Sequence, residues 1–330
     1  MHKERIIVTG GAGFIGSNFI NYMVKKYADY LFINVDKLTY SGNLNNLKEL
    51  EYAKNYQFIK ADICESEEMS KILKEGDILV NFAAESHVDN SLLDPYIFIK
   101  TNVVGTQNLL DISRKSKVKK FIQISTDEVY GSLSFDAQSS KENHILKPSS
   151  PYSASKAAAE MLCLAAVHTH NQFITITRSS NNFGPYQFPE KVIPLFVTNL
   201  ILGKKVPLYG SGKNVRDWLF VLDNCEAIDM IIHKGNSGEV YNIGGGNEVQ
   251  NIDLTNKILI KMGKDHSSIE YVEDRKGHDL RYSIDCLKIK SLGWTPKHNF
   301  DSALEKTINW YKENVWWWEP LKNTKGKRTS

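Results

Sequence analysis

The chain has 330 residues, of which 42% are hydrophobic and 24% charged, and carries a net charge of +3 at pH 7. Those are the proportions of an ordinary globular protein, long enough for one large or two moderate domains. So small a charge gives no reason to expect nucleic acid, though it suits an enzyme with a local basic pocket for an anionic substrate.

The N-terminal MHKERIIVTGG is charged before it is apolar. It is neither a secretory leader nor a membrane span, so a cytoplasmic protein with no membrane contact is expected. Cys64, Cys163, Cys225 and Cys286 stand apart, with no CxxC and no histidine cluster. Reduced structural thiols follow, and no metal site or disulfide framework is expected.

Arg5 to Val8 reads as a short strand, followed by GGAGFIGS and a helical run to about Lys26. Gly10, Gly13 and Gly16 form G-x-x-G-x-x-G, one residue wider than the usual dinucleotide fingerprint. The physics is the same: a tight turn, close approach to a pyrophosphate and a helix N-terminus facing it. A second strand, Leu31 to Val35, ends in Asp36, placed to accept hydrogen bonds from ribose hydroxyls. A carboxylate there favours NAD over NADP.

Phe58 to Lys60 followed by Asp62 repeats the strand-then-acid pattern, with Asp62 and Ile63 placed against an adenine. Ile78 to Ala84 is the next strand, where small Ala83 and Ala84 allow close backbone approach and Ser86 offers a hydroxyl. His87 has the chemistry of an acid or base, but nothing in the sequence pairs with it. Tyr96 to Ser113 reads as one helical run, and Val118 to Ser125 returns to the sheet. This alternation gives an α/β fold, a Rossmann-type doubly wound parallel sheet.

The strand Phe121 to Ser125 delivers Thr126, Asp127, Glu128 and Tyr130 to its C-terminal end, where open α/β sheets bind ligands. In SPYSASK, Tyr152 and Lys156 are four residues apart on a helical run and face the same way. A phenol beside an ammonium is an activated base. Next to a nicotinamide, it implies hydride transfer from an alcohol carbon. The ketone so formed acidifies the neighbouring C–H, which Glu128 can deprotonate, while a protonated Asp127 can protonate a leaving hydroxyl one carbon further on.

After a strand at Phe173 to Arg178, SNNFGPYQFPEK reads as a long pocket-lining crossover, in which Asn181 suits a phosphate or sugar. Lys191 is either a diphosphate contact or a solvated lysine. Val206 to Tyr209 offers Tyr209 to flank a base, and Arg216 has the rigid fork that pairs two phosphate oxygens. Asp217 and Trp218 open an apolar run that returns to the first domain.

Gly235 to Gly246 reads as a hairpin or strand-turn element. Helical runs follow at Asp253 to Met262, Cys286 to Leu292 and Asp301 to Asn314. Trp316, Trp317 and Trp318 seal the last helix against the body or form a partner surface. The tail after Lys322 is polar and reads as disordered.

The sequence is identified as a member of the extended short-chain dehydrogenase/reductase family. Within it, the chain resembles the dTDP-glucose 4,6-dehydratases from about Arg5 to Lys322, through GGAGFIGSNF, VDKLTYSGN, NFAAESHVDNS, STDEVYG, SPYSASKA, SSNNFGPYQFPEKVIP, YGSGKNVRDWLFV and YNIGGGNE. TDEVYG is the specific part, because sugar-nucleotide 4-epimerases share the glycines and Tyr-x-x-x-Lys but usually lack the Asp-Glu pair.

The resemblance implies a lyase of deoxysugar biosynthesis, of the dTDP-rhamnose type. Tyr152 would deprotonate the glucose 4-hydroxyl, Thr126 hold the 4-oxygen, Glu128 remove the C5 proton and Asp127 protonate the departing 6-hydroxyl. NAD⁺ would be regenerated each cycle. The implied cofactor contacts are Gly10, Gly13, Phe14, Ile15 and Gly16 in the glycine turn, and Asp36, Lys37, Leu38, Thr39, Ser41 and Gly42 after the second strand. Asp62, Ile63, Phe82, Ala83, Ala84, Ser86, Thr101, Ser125, Tyr152, Lys156 and Asn181 complete them.

The implied substrate contacts are Ser86, His87, Thr126, Asp127, Glu128, Tyr152, Asn181, Lys191, Val192, Pro207, Tyr209, Arg216, Asn251, His278 and Arg281. Residues 1–178 would be mainly the NAD-binding domain and 179–322 mainly a smaller mixed α/β nucleotide-sugar domain. A homodimer built on Tyr96 to Ser113 and Ser153 to His168 is implied too. Asn90 and Leu280 stand where the family commonly has arginine, which bears on base choice, affinity or an interface.

Overall fold

In a computed structural model, described over residues 2–274 and 277–323, β-branched runs form the strands and amphipathic runs the helices between them. The first half comprises β1 (Glu4–Thr9), α1 (Phe14–Lys26), β2 (Tyr30–Asp36), β3 (Tyr56–Lys60), α2 (Ser66–Ile72), β4 (Ile78–Asn81), α3 (Val88–Leu93), α4 (Pro95–Phe98), α5 (Gly105–Lys115), β5 (Lys120–Thr126), α6 (Pro151–His170) and β6 (Ile174–Ser179). The second comprises β7 (Asn181–Phe183), α7 (Val192–Ile201), β8 (Val206–Tyr209), β9 (Val215–Phe220), α8 (Val221–Lys234), β10 (Val240–Ile243), β11 (Glu248–Gln250), α9 (Asn251–Lys261), β12 (Ile269–Val272), α10 (Leu287–Ser291), α11 (Phe300–Glu313) and α12 (Val315–Asn323). The tail beyond residue 323 that reads as disordered lies outside the described residues, as do Arg275 and Lys276 of the DRKGHDLRY segment.

Seven of the described strands form one parallel sheet in the order β10-β6-β5-β4-β1-β2-β3. Every residue of β4 and β6 is buried, as expected of strands covered on both faces. The chain winds outward from β1 to β3 and then crosses to β4 on the other side of β1. The crevice beyond the C-terminal ends of β1 and β4 is therefore the topological switch point. Thr9 pairs with Asn81 there, and Ser125 pairs with Arg178 two strands further along.

The remaining strands build a small sheet, β11-β9-β7, and a β12-β8 pair. They share a core in which Phe183, Ile193, Trp218, Leu254, Leu304 and Trp318 are buried. The two halves are stitched together, since α8 packs on α1 and β10 pairs in parallel with β6. The Gly235 to Gly246 stretch is therefore not a hairpin. Its one strand joins the large sheet, while β11 pairs antiparallel with β9.

Trp317 and Trp318 are buried, and their indole N–H groups donate to Asn46 Oδ1 and the Tyr311 carbonyl, both at 2.8 Å. Only Trp316 is largely exposed, at 54%.

The helical run expected over Tyr96 to Ser113 is interrupted. Between α4 and α5, residues Ile99–Val104 form a π turn. Its wider winding sets Asn102 inward, where Oδ1 accepts from the Glu85 N–H (2.9 Å) and Nδ2 donates to the Glu85 carbonyl (3.0 Å) and to Ser155 Oγ (2.8 Å). Periodicity cannot reveal such a turn, because one inserted residue leaves the apolar pattern helical on either side.

Candidate active site

The glycine turn sits where β1 ends, and the backbone leaves no room for side chains. At Gly10, φ is +70° and a Cβ would lie 2.5 Å from the Ala83 nitrogen. At Gly16 a Cβ would lie 2.4 Å from the Gly10 carbonyl oxygen, so α1 packs directly on the turn and Gly13 caps it.

The turn opens a cleft of about 260 Å³ lined by Phe14, Ile15, Asp36, Lys37, Thr39, Ser41 and Gly42, and by Asp62, Ile63, Phe82, Ala83 and Ala84. Ser86, Thr101, Ser125, Tyr152, Lys156 and Lys191 line it as well. Asp36 is buried and accepts from the N–H groups of Ala12 (2.9 Å) and Leu38 (2.7 Å), which hold its carboxylate at the end of β2. Burial raises its pKa and those two bonds oppose the rise. Lys37 pairs with Asp62 at 2.6 Å. A glycine cradle, a fixed carboxylate and a helix N-terminus fit a dinucleotide.

Tyr40 and Glu190, which carry no signal in the sequence, also line this cleft, and Tyr40 donates to Glu190 Oε1 at 3.0 Å. The expected Lys191 donates from Nζ to the Ser86 carbonyl at 3.0 Å. These contacts join the segment after β2 and the segment after β4 to the residues before α7. His87 Nε2 lies 3.9 Å from Glu190 Oε1. Leu38 and Asn181 are not among the cleft-lining residues; Leu38 has a left-handed φ of 59°, and Asn181 opens β7.

At the end of β5 the chain enters a single 3-10 turn, Asp127–Tyr130, capped by Thr126, whose Oγ1 accepts from the Glu128 N–H at 3.2 Å. The turn lies against α6, which starts sharply. Pro151 occupies its first turn, and Ser150 and Ser153 form a reciprocal capping box. The start of α6 thus brings Tyr152 and Lys156 to the strand end. Tyr152 packs edge-on against Phe98. Lys156 Nζ donates to the Ile124 carbonyl at 2.6 Å.

The electrostatics separate these groups. Asp127 is only 3% exposed, and its Oδ2 has no hydrogen-bond partner among the described residues. Burial first, then the Glu128 and Asp217 carboxylates, push Asp127 well above the ordinary carboxylate range, against Arg216 and the Thr126 hydroxyl. Its proton is therefore held more tightly than on an ordinary solvated carboxyl. Tyr152 is raised too, by burial and then Glu128, while Thr126 lowers it. Lys156 is lowered by burial to about 8, with Glu160 opposing. The simple picture of an ammonium lowering an adjacent phenol is therefore incomplete, because Lys156 is bonded to a backbone carbonyl and Glu128 dominates the charge felt by Tyr152.

The second half supplies the opposite wall. Arg216 is buried on β9, bonds the carbonyls of Val215 (2.8 Å) and Asp279 (3.0 Å), and lies 4.2 Å over the Tyr282 ring. Burial first and then the Glu128 carboxylate raise the Tyr282 phenol, so this wall faces the Asp127–Tyr130 turn. Arg281 pairs with Glu248 at 2.6 Å and bridges Leu133. Tyr209 meets His278 edge-on at 6.2 Å, with His278 Nδ1 2.6 Å from Asp274. Pro207 pairs with Glu270 across β8 and β12, Asn251 opens α9, and Val192 opens α7. Asn90 Nδ2 donates to Tyr40 Oη at 3.4 Å, while Leu280 is exposed.

The Lys156 shift is also a stability statement. Below about 8 the lysine is charged whether folded or not, and the fold bears the full cost of burying it. Between about 8 and the unfolded value of 10.5 only the unfolded chain is charged, so the cost fades. At neutral pH it amounts to about 3 kcal/mol. Lys156→Met is expected to melt higher than the parent at pH 7, with an advantage that shrinks between pH 8 and 10.5. Thermal melts across that range check this, and an advantage independent of pH would contradict the burial assignment.

The family model described as GDP-mannose 4,6 dehydratase matches residues 7–307. A dTDP-glucose 4,6-dehydratase from Streptomyces niveus is 45% identical over 324 residues, covering 97% of this chain and 96% of that one. One from Escherichia coli is 45% identical over 346 residues, covering 96% and 95%. Among solved structures, the dTDP-glucose 4,6-dehydratase DesIV of Streptomyces venezuelae, crystallised with NAD, superposes with a TM-score of 0.94 at 46% identity, covering 96% of this chain and 99% of that one. A UDP-glucose 4-epimerase from Thermotoga maritima superposes with a TM-score of 0.87 at 32% identity, covering 94% and 99%. The chain belongs to this family of NAD-dependent nucleotide-sugar epimerases and dehydratases, with dTDP-glucose 4,6-dehydratases among its relatives.

Proposed function

We propose that the chain is a dTDP-glucose 4,6-dehydratase, converting dTDP-α-D-glucose to dTDP-4-dehydro-6-deoxy-α-D-glucose and water in deoxysugar biosynthesis. The observation that carries the reading is the buried Asp127, its pKa raised, next to Glu128 on a turn packed against the Tyr152 helix. A 4-epimerase needs a base for one hydroxyl. Removing water needs in addition a base for carbon and an acid for the leaving oxygen, and this turn carries both.

NAD⁺, held by the glycine turn and Asp36, supplies the hydride acceptor and a cationic ring. Tyr152 takes the proton of the 4-hydroxyl as the C4 hydride leaves, with the Thr126 hydroxyl on the 4-oxygen. Glu128 then removes the C5 proton, made acidic by the C4 ketone, and Asp127 gives its proton to the 6-hydroxyl, which departs as water. The hydride returns to C6 and a proton to C5, leaving the acid and base to be reset. Arg216, with Lys191 and Arg281, is assigned to the diphosphate, Tyr209 and Asn251 to the base.

A homodimer is part of the same reading. Tyr96, Ile99, Val104 and Met161 are large apolar side chains left exposed on the α4–α5 region and on α6, the two segments expected to pair. Sedimentation should give a dimer that Met161→Glu with Ile99→Glu converts to monomer; a monomeric parent would end this part.

Tyr152→Phe is expected to lower turnover by about 10²–10⁴-fold while dinucleotide stays bound. Glu128→Gln should retain some C4 oxidation but block exchange of the C5 hydrogen with solvent. Proton NMR of the sugar in deuterated water checks this, and normal C5 exchange in that variant would remove Glu128 from its role.

A further inference from the structure

Tyr130 closes the turn that carries Asp127 and Glu128, yet it has no part in the steps above. Its hydroxyl is buried in a polar network. It donates to Asn242 Oδ1 at 2.7 Å and accepts from Arg178 Nη1 at 2.7 Å, while the guanidinium lies 4.7 Å from its ring centre. Arg178 is itself buried and forks onto Glu160, with Nε 3.0 Å and Nη2 2.6 Å from Oε2. Its Nη1 also bonds the Glu142 carbonyl at 3.0 Å.

Two regularities of the fold place this network. The sheet register aligns Ser125, Arg178 and Asn242 on β5, β6 and β10, a row one residue below the Thr126 cap. On α6, Tyr152, Lys156 and Glu160 follow at four-residue steps, which puts Glu160 on the same face as Tyr152 and Lys156. Val129 and Tyr130 pack on Ala157, the neighbour of Lys156. Beyond Tyr130 the chain has no freedom either, since Gly131 has φ +79° and a Cβ there would lie 2.1 Å from the Lys147 carbonyl oxygen.

The network therefore closes a ring: Tyr152 and Lys156, then Glu160, Arg178, Tyr130 and back through the turn to Glu128 and Asp127. We propose that Tyr130 is a positioning residue for the elimination step, its hydroxyl pinning the turn of Asp127 and Glu128 to the buried Arg178–Glu160 pair behind Lys156. The proposal rests on the dehydratase reading. Oxidation depends on Tyr152, which the helix holds without Tyr130, and on Thr126, which the last residue position of β5 holds. Elimination depends on two carboxyl groups on a one-turn element whose far end Tyr130 anchors, and a shift of order 1 Å in such groups costs about 10²-fold in rate.

The test uses Tyr130→Phe, which keeps the ring and its packing, and Asn242→Ala, which removes the acceptor at the other end of the bond. Both are mixed rapidly with dTDP-glucose as full-length, NAD-loaded protein. The rise and decay of reduced nicotinamide absorbance and C5 hydrogen exchange are followed, with a thermal melt of each. The expected result is a rise within about twofold of the parent, a decay slowed by at least about tenfold, and C5 exchange slowed in step.

A decay equal to the parent's in either folded variant would overturn the proposal, and so would a parallel fall of both phases. If the parent forms neither reduced nicotinamide nor a 4-keto product, the dehydratase reading itself falls.

Discussion

A carboxyl group that is buried, beside another carboxylate and short of hydrogen-bond donors holds its proton more tightly than a solvated one, and the chemistry assigned to this protein depends on that condition at Asp127. The strand end supplies the burial, Glu128 and Asp217 supply the repulsion, and only Arg216 and one hydroxyl oppose them. The adjacent Glu128 is half-buried and has its backbone N–H tied to the same Thr126. Two neighbours of one chemical type thus receive different environments from a single turn.

The rest of the molecule maintains that difference. The parallel sheet brings β5 to the crevice beside the dinucleotide cleft, and the capping box starts α6 where Tyr152 and Lys156 meet the strand end. The second half returns through β9 and lays Arg216 and Asp217 near the turn, where, after burial and Glu128, they act in opposite directions on the acidity of Asp127.

Much of this was legible in the chain because it follows from short-range rules. The glycine turn, Asp36 at the end of β2, the strand ending in Thr126 and the four-residue step from Tyr152 to Lys156 are all local patterns. What was not legible is non-local or geometric. The π turn at Ile99–Val104 leaves periodicity intact while moving Asn102 inward. The partnership of Tyr40 with Glu190 spans 150 residues, and that of Arg281 with Glu248 depends on where two loops meet. The raised pKa of Tyr152 could not be read from its spacing to Lys156, because it is set by burial and by Glu128.

The most direct measurement of the reaction uses dTDP-glucose carrying deuterium at C4, with the product read by NMR and mass spectrometry in ordinary water. The expected result is a 4-keto-6-deoxy product with the deuterium at C6 and a solvent hydrogen at C5. Deuterium back at C4 of an epimerised sugar, or no 4-keto product at all, would contradict the dehydration assigned to Asp127 and Glu128.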